Sequence, residues 1–206
     1  MRLLFALLLI LALARAASAQ LSQGPHAGTV SLGLRSSFSF FNSHERNDPG
    51  QGVGGQFRIR LGNRVSTDWF YDYLTARIGH FAHRQDQHIG WSVLFYLKDP
   101  GAGQPFVQPY VLAGHCFDHT RQQENGNPAN SAERWSSAVQ GGAGVHVNLT
   151  PFSDVSLVGQ YMMHLGTDVH AHLHDGQVEF HQEKGAGMEG HLLLHVSYNL
   201  KLFRSW

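Results

Sequence analysis

The chain is short of most things a water-soluble enzyme relies on. It has a single cysteine, Cys116, so no intramolecular disulfide can form. A lone thiol of this kind reads as a small buried hydrophobe. Charged residues make up only 15% of the sequence, which is low for a soluble domain. Acids and bases balance at 15 each, so there is no one-signed field to gather nucleic acid. Beyond the first twenty residues, no apolar run approaches the roughly 20 residues a spanning helix needs. No linker or shift in composition marks a second domain. Any membrane role therefore has to come from β-structure.

What is present begins with an address. Arg2 is followed by the apolar run Leu3 to Ala14 and then by Ala17-Ser18-Ala19. A basic start, a hydrophobic stretch and an Ala-x-Ala pattern are the layout of a secretory signal peptide. Residues 1–19 are expected to be that peptide, and residues 20–206 one β-barrel domain.

Past that point the pattern has period two. In "TVSLGLRSSFSF", Val30, Leu32, Leu34, Phe38 and Phe40 share one face, and Ser31, Gly33, Arg35, Ser37 and Ser39 the other. "GQFRIRL" alternates Phe57, Ile59 and Leu61 with Gln56, Arg58 and Arg60. "SAVQGGAGVHVNL" sets Val139, Ala143, Val145, Val147 and Leu149 against Gln140, Gly142, Gly144, His146 and Asn148. "GHLLLHVSYNLKL" sets Leu192, Leu194, Val196, Tyr198, Leu200 and Leu202 against His191, His195, Ser197, Asn199 and Lys201. Each is a strand with one apolar and one polar face. Thr67–Phe81, His88–Leu97, Phe106–Phe117 and Val155–His164 complete a set of about eight. The phase blurs near Asp72, where a bulge would explain it. Pro109 requires a bulge or a place near a strand end.

The polar faces are Gly, Ser, Gln, Asn, Arg and His rather than Lys and Glu. Small residues suit a narrow lumen filled with side chains, as about eight strands allow. An arginine facing lipid at the bilayer centre would cost about 2–4 kcal/mol. Arg35, Arg58 and Arg60 are therefore expected inside, neutralised by acids such as Glu189. The expected fold is all-β: a closed antiparallel up-and-down transmembrane barrel of about eight strands in the outer membrane of a Gram-negative bacterium, its apolar faces towards lipid. Long outer connections are expected at Phe41–Gln51, His119–Trp135 and Leu165–Gly187, with a short one near Ala82–Gln87. Gly62–Ser66, Lys98–Pro105 and Thr150–Asp154 are expected as inner turns. The competing fold is a secreted soluble β-barrel, its Leu/Val/Phe faces lining a calyx for a small apolar ligand.

The signal peptide, the alternating segments and the aromatic ending together resemble the small outer-membrane β-barrels of the OmpA/OmpX type, a porin-like group. "GNRVSTDWFYDY" and "PYVLAGHCFD" are similar to segments of uncharacterised porin-like barrels. "EGHLLLHVSYNLKLFRSW" resembles the C-terminal signal read by the barrel assembly machinery, with Trp206, Leu202, Leu200 and Tyr198 in place and Arg204 departing from it. The resemblance implies architecture and an envelope or surface role through external loops. It carries no catalytic motif.

One segment carries possible chemistry of its own. In "VHAHLHDGQVEFH", Val169 to His181, Asp175-Gly176 is a two-residue hairpin signal. Folding about it pairs His174 with Gln177, His172 with Glu179 and His170 with His181. One face then holds His170, His172, His174, Glu179 and His181, with Cα atoms roughly 7 Å apart along the strand. Two or three imidazoles with a carboxylate suit Zn²⁺, Cu²⁺ or Ni²⁺. The alternative is an extension of two barrel strands above the membrane, with the histidines as ordinary solvated residues. His191 and His195 are expected to hydrogen-bond in the lumen. "GQYMMHLG" partly resembles the histidine region of the lipid A deacylase family, but that family places a serine two residues after the histidine and this chain has Gly166. No nucleophile–base pair is visible in the sequence, so no enzymatic activity is expected.

Overall fold

The computed structural model describes residues 24–41, 48–101, 103–166, 168–183 and 190–206. The expected signal peptide and Glu189 lie outside them. The strands are β1 (Thr29–Phe41), β2 (Gly50–Arg60), β3 (Val65–Ile78), β4 (Ala82–Tyr96), β5 (Val107–Glu124), β6 (Asn127–Thr150), β7 (Ser153–Leu165), β8 (Asp168–His174), β9 (Gln177–Glu183) and β10 (Gly190–Arg204). Eight of them close a barrel in the order β1-β10-β7-β6-β5-β4-β3-β2, while β8 and β9 form a separate two-stranded sheet. Every neighbouring pair is antiparallel, including the closing pair β1–β10. Among the described residues no helix is long and apolar enough to cross a membrane. The strands are. The 13 residues of β1 make about 43 Å of strand, or about 30 Å of height at a tilt near 45°, the thickness of the hydrocarbon layer.

The alternation resolves in one direction. Leu32 and Leu34 are 54% and 79% exposed, while Ser37 and Ser39 are fully buried. Leu192, Leu194, Val196, Tyr198 and Leu200 all face outward, and His191, His195 and Asn199 inward. The soluble calyx is therefore overturned, because its apolar lining is on the outside.

The lumen is packed in layers. Nearest the end where β1 begins and β10 finishes, Arg58 meets Asp68 at 2.8 Å and Asp154 at 3.3 Å. Around them, Tyr96 bonds Ser66 and His146, and Asn199 donates to Asp154. Higher up, Arg35 pairs with Asp72 at 3.0 Å and lies over Phe70. Gln160 donates to Gln140, which donates to Ser92. A dry layer follows, made of Phe70, Leu74, Cys116, Ala138, Met162 and Leu193. Above it lies a second charged layer around Asp118. Among the described residues, Arg58 pairs with Asp68 on the neighbouring β3 and across the lumen with Asp154 on β7, and Arg35 on β1 pairs with Asp72 on β3; the expected Glu189 lies outside them. Glycine makes the space for some of these pairs: a Cβ on Gly54 would stand 2.2 Å from an Asp72 carboxylate oxygen and from the Tyr71 carbonyl.

Several expectations need correction. No bulge occurs at Asp72, where pairing of β3 with both neighbours runs without a break. The blur arises because Phe70, Leu74 and Ile78 point inward beside Ser66, Asp68 and Asp72, so the lumen face of β3 mixes apolar and polar residues. Pro109 sits at the third residue of β5, near its start. Residues 119–135 form no loop, since β5 and β6 stay paired up to Glu124 and Asn127 around Asn125-Gly126, with Gly126 at φ 81°. Residues 82–87 belong to β4, and the turn before them is only Gly79–Phe81.

Candidate functional site

The end opposite the termini carries the histidine-rich apparatus. β8 and β9 pair in the anticipated register, from His174↔Gln177 to His170↔His181. Asp175 and Gly176 take φ values of 48° and 80°, as a type I′ turn requires and as Asp-Gly tolerates. The hairpin is not an extension of barrel strands, however. It is a sheet of its own, bent back over the mouth. Its apolar face supplies the reason: Ala171 and Phe180 pack on Ile78, Phe81 and Ala82 of the β3–β4 corner. Gln122 Nε2 donates to the Val169 carbonyl at 2.6 Å and Asn130 Nδ2 to the Val178 carbonyl at 2.8 Å. These bonds tie the hairpin to β5 and β6. Val169 of the hairpin, and Ile78, Ala82 and Gln122 beneath it, are almost wholly buried.

The expected metal-ligating residues separate into three groups. His172 and His181 stand ring to ring at 5.7 Å on the exposed face, and His181 Nε2 lies 3.3 Å from Glu179 Oε2. His170 is buried at the root, its ring 6.3 Å from that of His172. His174 at the tip turns to Asp175, 3.6 Å away. No three His, Cys, Asp or Glu donors among the described residues are gathered as a metal ion would need them.

Directly beneath lies a cluster that strand-by-strand reading did not reveal. Asp118, on β5, is fully buried. Its carboxylate lies 3.3 Å from His88 Nε2 on β4, 3.0 Å from His164 Nδ1 on β7 and 3.2 Å from Arg134 Nη2 on β6. Thr120 Oγ1 also reaches Asp118 Oδ2 at 3.4 Å. The His191 ring stands 5.3 Å from that of His88 and 5.0 Å from that of His164, and its Nε2 meets the Met162 sulfur at 3.4 Å. Arg84 and Asp86 pair just above, at 2.9 Å. Partners from four strands meet at Asp118: His88 of β4, Thr120 of β5, Arg134 and Ser136 of β6, and His164 of β7. A single strand shows only an isolated aspartate or histidine on a polar face. The usable signal was that the inward residues of neighbouring strands carry opposite charge.

Ser–His pairs are also present: Ser37 Oγ lies 2.7 Å from His195 Nδ1, and Ser39 Oγ 3.1 Å from His191 Nδ1. All four side chains are enclosed in the lumen, in the hydrogen-bonding role expected of the two histidines. His164 points its Nδ1 at Asp118 and into the lumen, away from the lipid face where an acyl chain would lie.

A family model described as the outer membrane protein beta-barrel domain matches residues 3–183. No curated protein matches the chain in sequence. Several solved structures share its architecture. Neisserial surface protein A superposes with a TM-score of 0.52 at 14% identity, covering 84% of this chain and 96% of the other. OprG from Pseudomonas aeruginosa gives 0.52 at 12% identity, covering 88% and 99%. AlkL, determined by solid-state NMR in DMPC bilayers, gives 0.52 at 13% identity, covering 90% and 96%. At such identities the likeness is one of fold.

Proposed function

The chain belongs to the outer-membrane β-barrel domain family, and from that premise we propose that it is a closed, non-conducting barrel that works at the cell surface by presenting the Val169–His181 hairpin to an outside partner. The observation that carries this reading is the seat of the hairpin over a filled lumen. The interior holds two charged layers and a dry one between them, and about eight strands leave no water channel of porin width. The remaining distinctive surface is at the top. There β5 and β6, with 18 and 24 residues, exceed the roughly 9–11 that a tilted span needs and rise beside the hairpin. Loops and hairpins held on a rigid barrel are where recognition resides. Leu173 at the hairpin tip and Trp135 on β6 stay exposed.

The test is an epitope inserted between Asp175 and Gly176. Antibody should label intact cells, and the purified protein should show no channel conductance in a planar bilayer. Labelling only after permeabilisation, or a conductance of porin size, would refute the proposal.

A second reading concerns the same face. His172, His181 and Glu179 offer two imidazoles and a carboxylate to a Zn²⁺, Cu²⁺ or Ni²⁺ ion, with His170 and His174 flanking them. The neighbouring His172 and His181 rings favour it. Calorimetric titration of the purified barrel with Zn²⁺ should give binding that is lost when His170, His172 and His174 are all changed to alanine. Equal affinity in that variant would dismiss the metal.

A further inference from the structure

The opposite mouth holds a feature that the surface-presentation reading does not use. At the end where β1 begins and β10 finishes, opposite the hairpin and the long β5–β6 extension (the periplasmic end, by the asymmetry of such barrels), the lumen opens into a cavity of about 270 Å³. Its polar wall includes Arg58, Arg60, Lys201 and Arg204, while Asp154 is the only carboxylate among the described residues that line it. That carboxylate is already shared: Arg58 Nη1 lies 3.3 Å and Lys201 Nζ 3.9 Å from it.

Among the described residues no carboxylate stands within ion-pair distance of Arg60, the acid that acts on it, Asp99, being further off. Arg60 Nε donates to the Gly62 carbonyl, one terminal nitrogen to the Asn63 carbonyl and the other to Gln108 Oε1, all neutral acceptors. Its guanidinium lies 3.6 Å from the centre of the Tyr96 ring, and two of its five N–H donors have no assigned acceptor. Lys201 Nζ spends one donor on Asn148.

An independent mark comes from Gln108, which is 5% exposed and lines the cavity. Its oxygen faces the Arg60 guanidinium at 3.5 Å, and its Nε2 has no partner among the described residues. A buried amide donor left unmade costs about 1–3 kcal/mol. His26 at the rim senses the same field. Partial burial chiefly holds it below the ordinary imidazole value, and the charges of Arg60, Lys201 and Arg204 add to this, against its bond to the Gly103 carbonyl.

We propose that this cavity is a binding site for a small oxyanion-bearing solute of the periplasm, with Arg60, Lys201 and Gln108 Nε2 converging on a phosphate or carboxylate head and Phe152, Leu202 and Pro105 flanking its carbon skeleton. Arg60 and Lys201 supply charge, and Gln108 supplies the donor that distinguishes a ligand from diffuse counter-ions. The proposal is independent of the surface role, since the site lies at the other end of the barrel.

Calorimetry on the purified barrel in non-ionic detergent, with inorganic phosphate and with succinate as probes, decides it. At least one probe should bind saturably. Lys201→Gln and Gln108→Leu should each weaken binding about tenfold, the usual effect of losing one charge-assisted or buried hydrogen bond. Arg121→Gln, at the outer end, should leave it unchanged. Preference for phosphate assigns a phosphate head and preference for succinate a carboxylate; either supports the site. Each variant is checked for the compact band of a folded barrel in unheated gels, and Gln108→Leu keeps the net charge. Binding of neither probe by the wild type, or equal affinity in folded Gln108→Leu and Lys201→Gln, would overturn the proposal.

Discussion

Replacing Arg58 by methionine should be among the most damaging single changes in the lumen. Its guanidinium is the bridge between Asp68 at 2.8 Å and Asp154 at 3.3 Å, and it also donates to Ser156. The Arg58 and Asp154 side chains are 6% and 2% exposed, so water can do little for a carboxylate that loses its partner. Methionine nearly fills the volume and forms no ion pair. Two acids then face each other, and the remaining support goes to Asp154 alone, from Asn199, Ser156, His146 and a more distant Lys201. Removing one partner from a buried ion pair typically costs about 3–5 kcal/mol. With a urea slope of about 2 kcal/mol per M, the unfolding midpoint should fall by about 2 M. The assay is equilibrium unfolding in lipid vesicles, followed by tryptophan fluorescence. The triple variant Arg58→Met/Asp68→Asn/Asp154→Asn removes the stranded charge as well, and should recover most of the loss. A loss below about 1 kcal/mol in the single variant, or no recovery in the triple one, would refute the idea that charge neutralisation holds this end of the barrel together.

Two further outcomes follow from the same geometry. Val196→Arg, on the lipid face midway along β10, should destabilise the barrel by about 2–4 kcal/mol in vesicles, and a loss under 1 kcal/mol would contradict a lipid-facing Val196. A side chain at Gly142 would place its Cβ 2.3 Å from the Gly159 carbonyl, whereas one at neighbouring Gly141 meets nothing closer than 3.9 Å. Gly142→Val should therefore abolish the folded band in unheated gels while Gly141→Val keeps it, and equal yields would show that the lumen yields more readily than described.

Much of the architecture is legible because each clean strand advertises both faces. Leu192, Leu194 and Val196 against His191 and His195 give β10 its direction from spacing alone. The strands misread were those whose two faces look alike. The Gln51–Gly55 part of β2 is glycine-rich, the His83–Gln87 part of β4 is polar on both sides, and β3 carries large apolar residues on both, Phe70 and Leu74 inside among its acids. Their identity comes from partners across the sheet, which local pattern does not contain. The site divides similarly. The hairpin register follows from the Asp175-Gly176 turn, a local rule. Where the hairpin lies does not, because its contacts with Ile78, Phe81 and Ala82 bring together segments about ninety residues apart. The Asp118 cluster draws on four strands and becomes visible only when the barrel closes.

The dry layer of Phe70, Leu74, Cys116, Ala138, Met162 and Leu193 has a consequence beyond packing. It covers five of the eight strands, and on the remaining wall the Ser37–His195 and Ser39–His191 pairs carry the polar lining past it. The Asp118 cluster and the Arg58–Asp154 cluster are thus held apart by grease on one side of the bore and joined by a seam of hydroxyls and imidazoles on the other, so a substitution in either cluster should be felt in its twin along that seam.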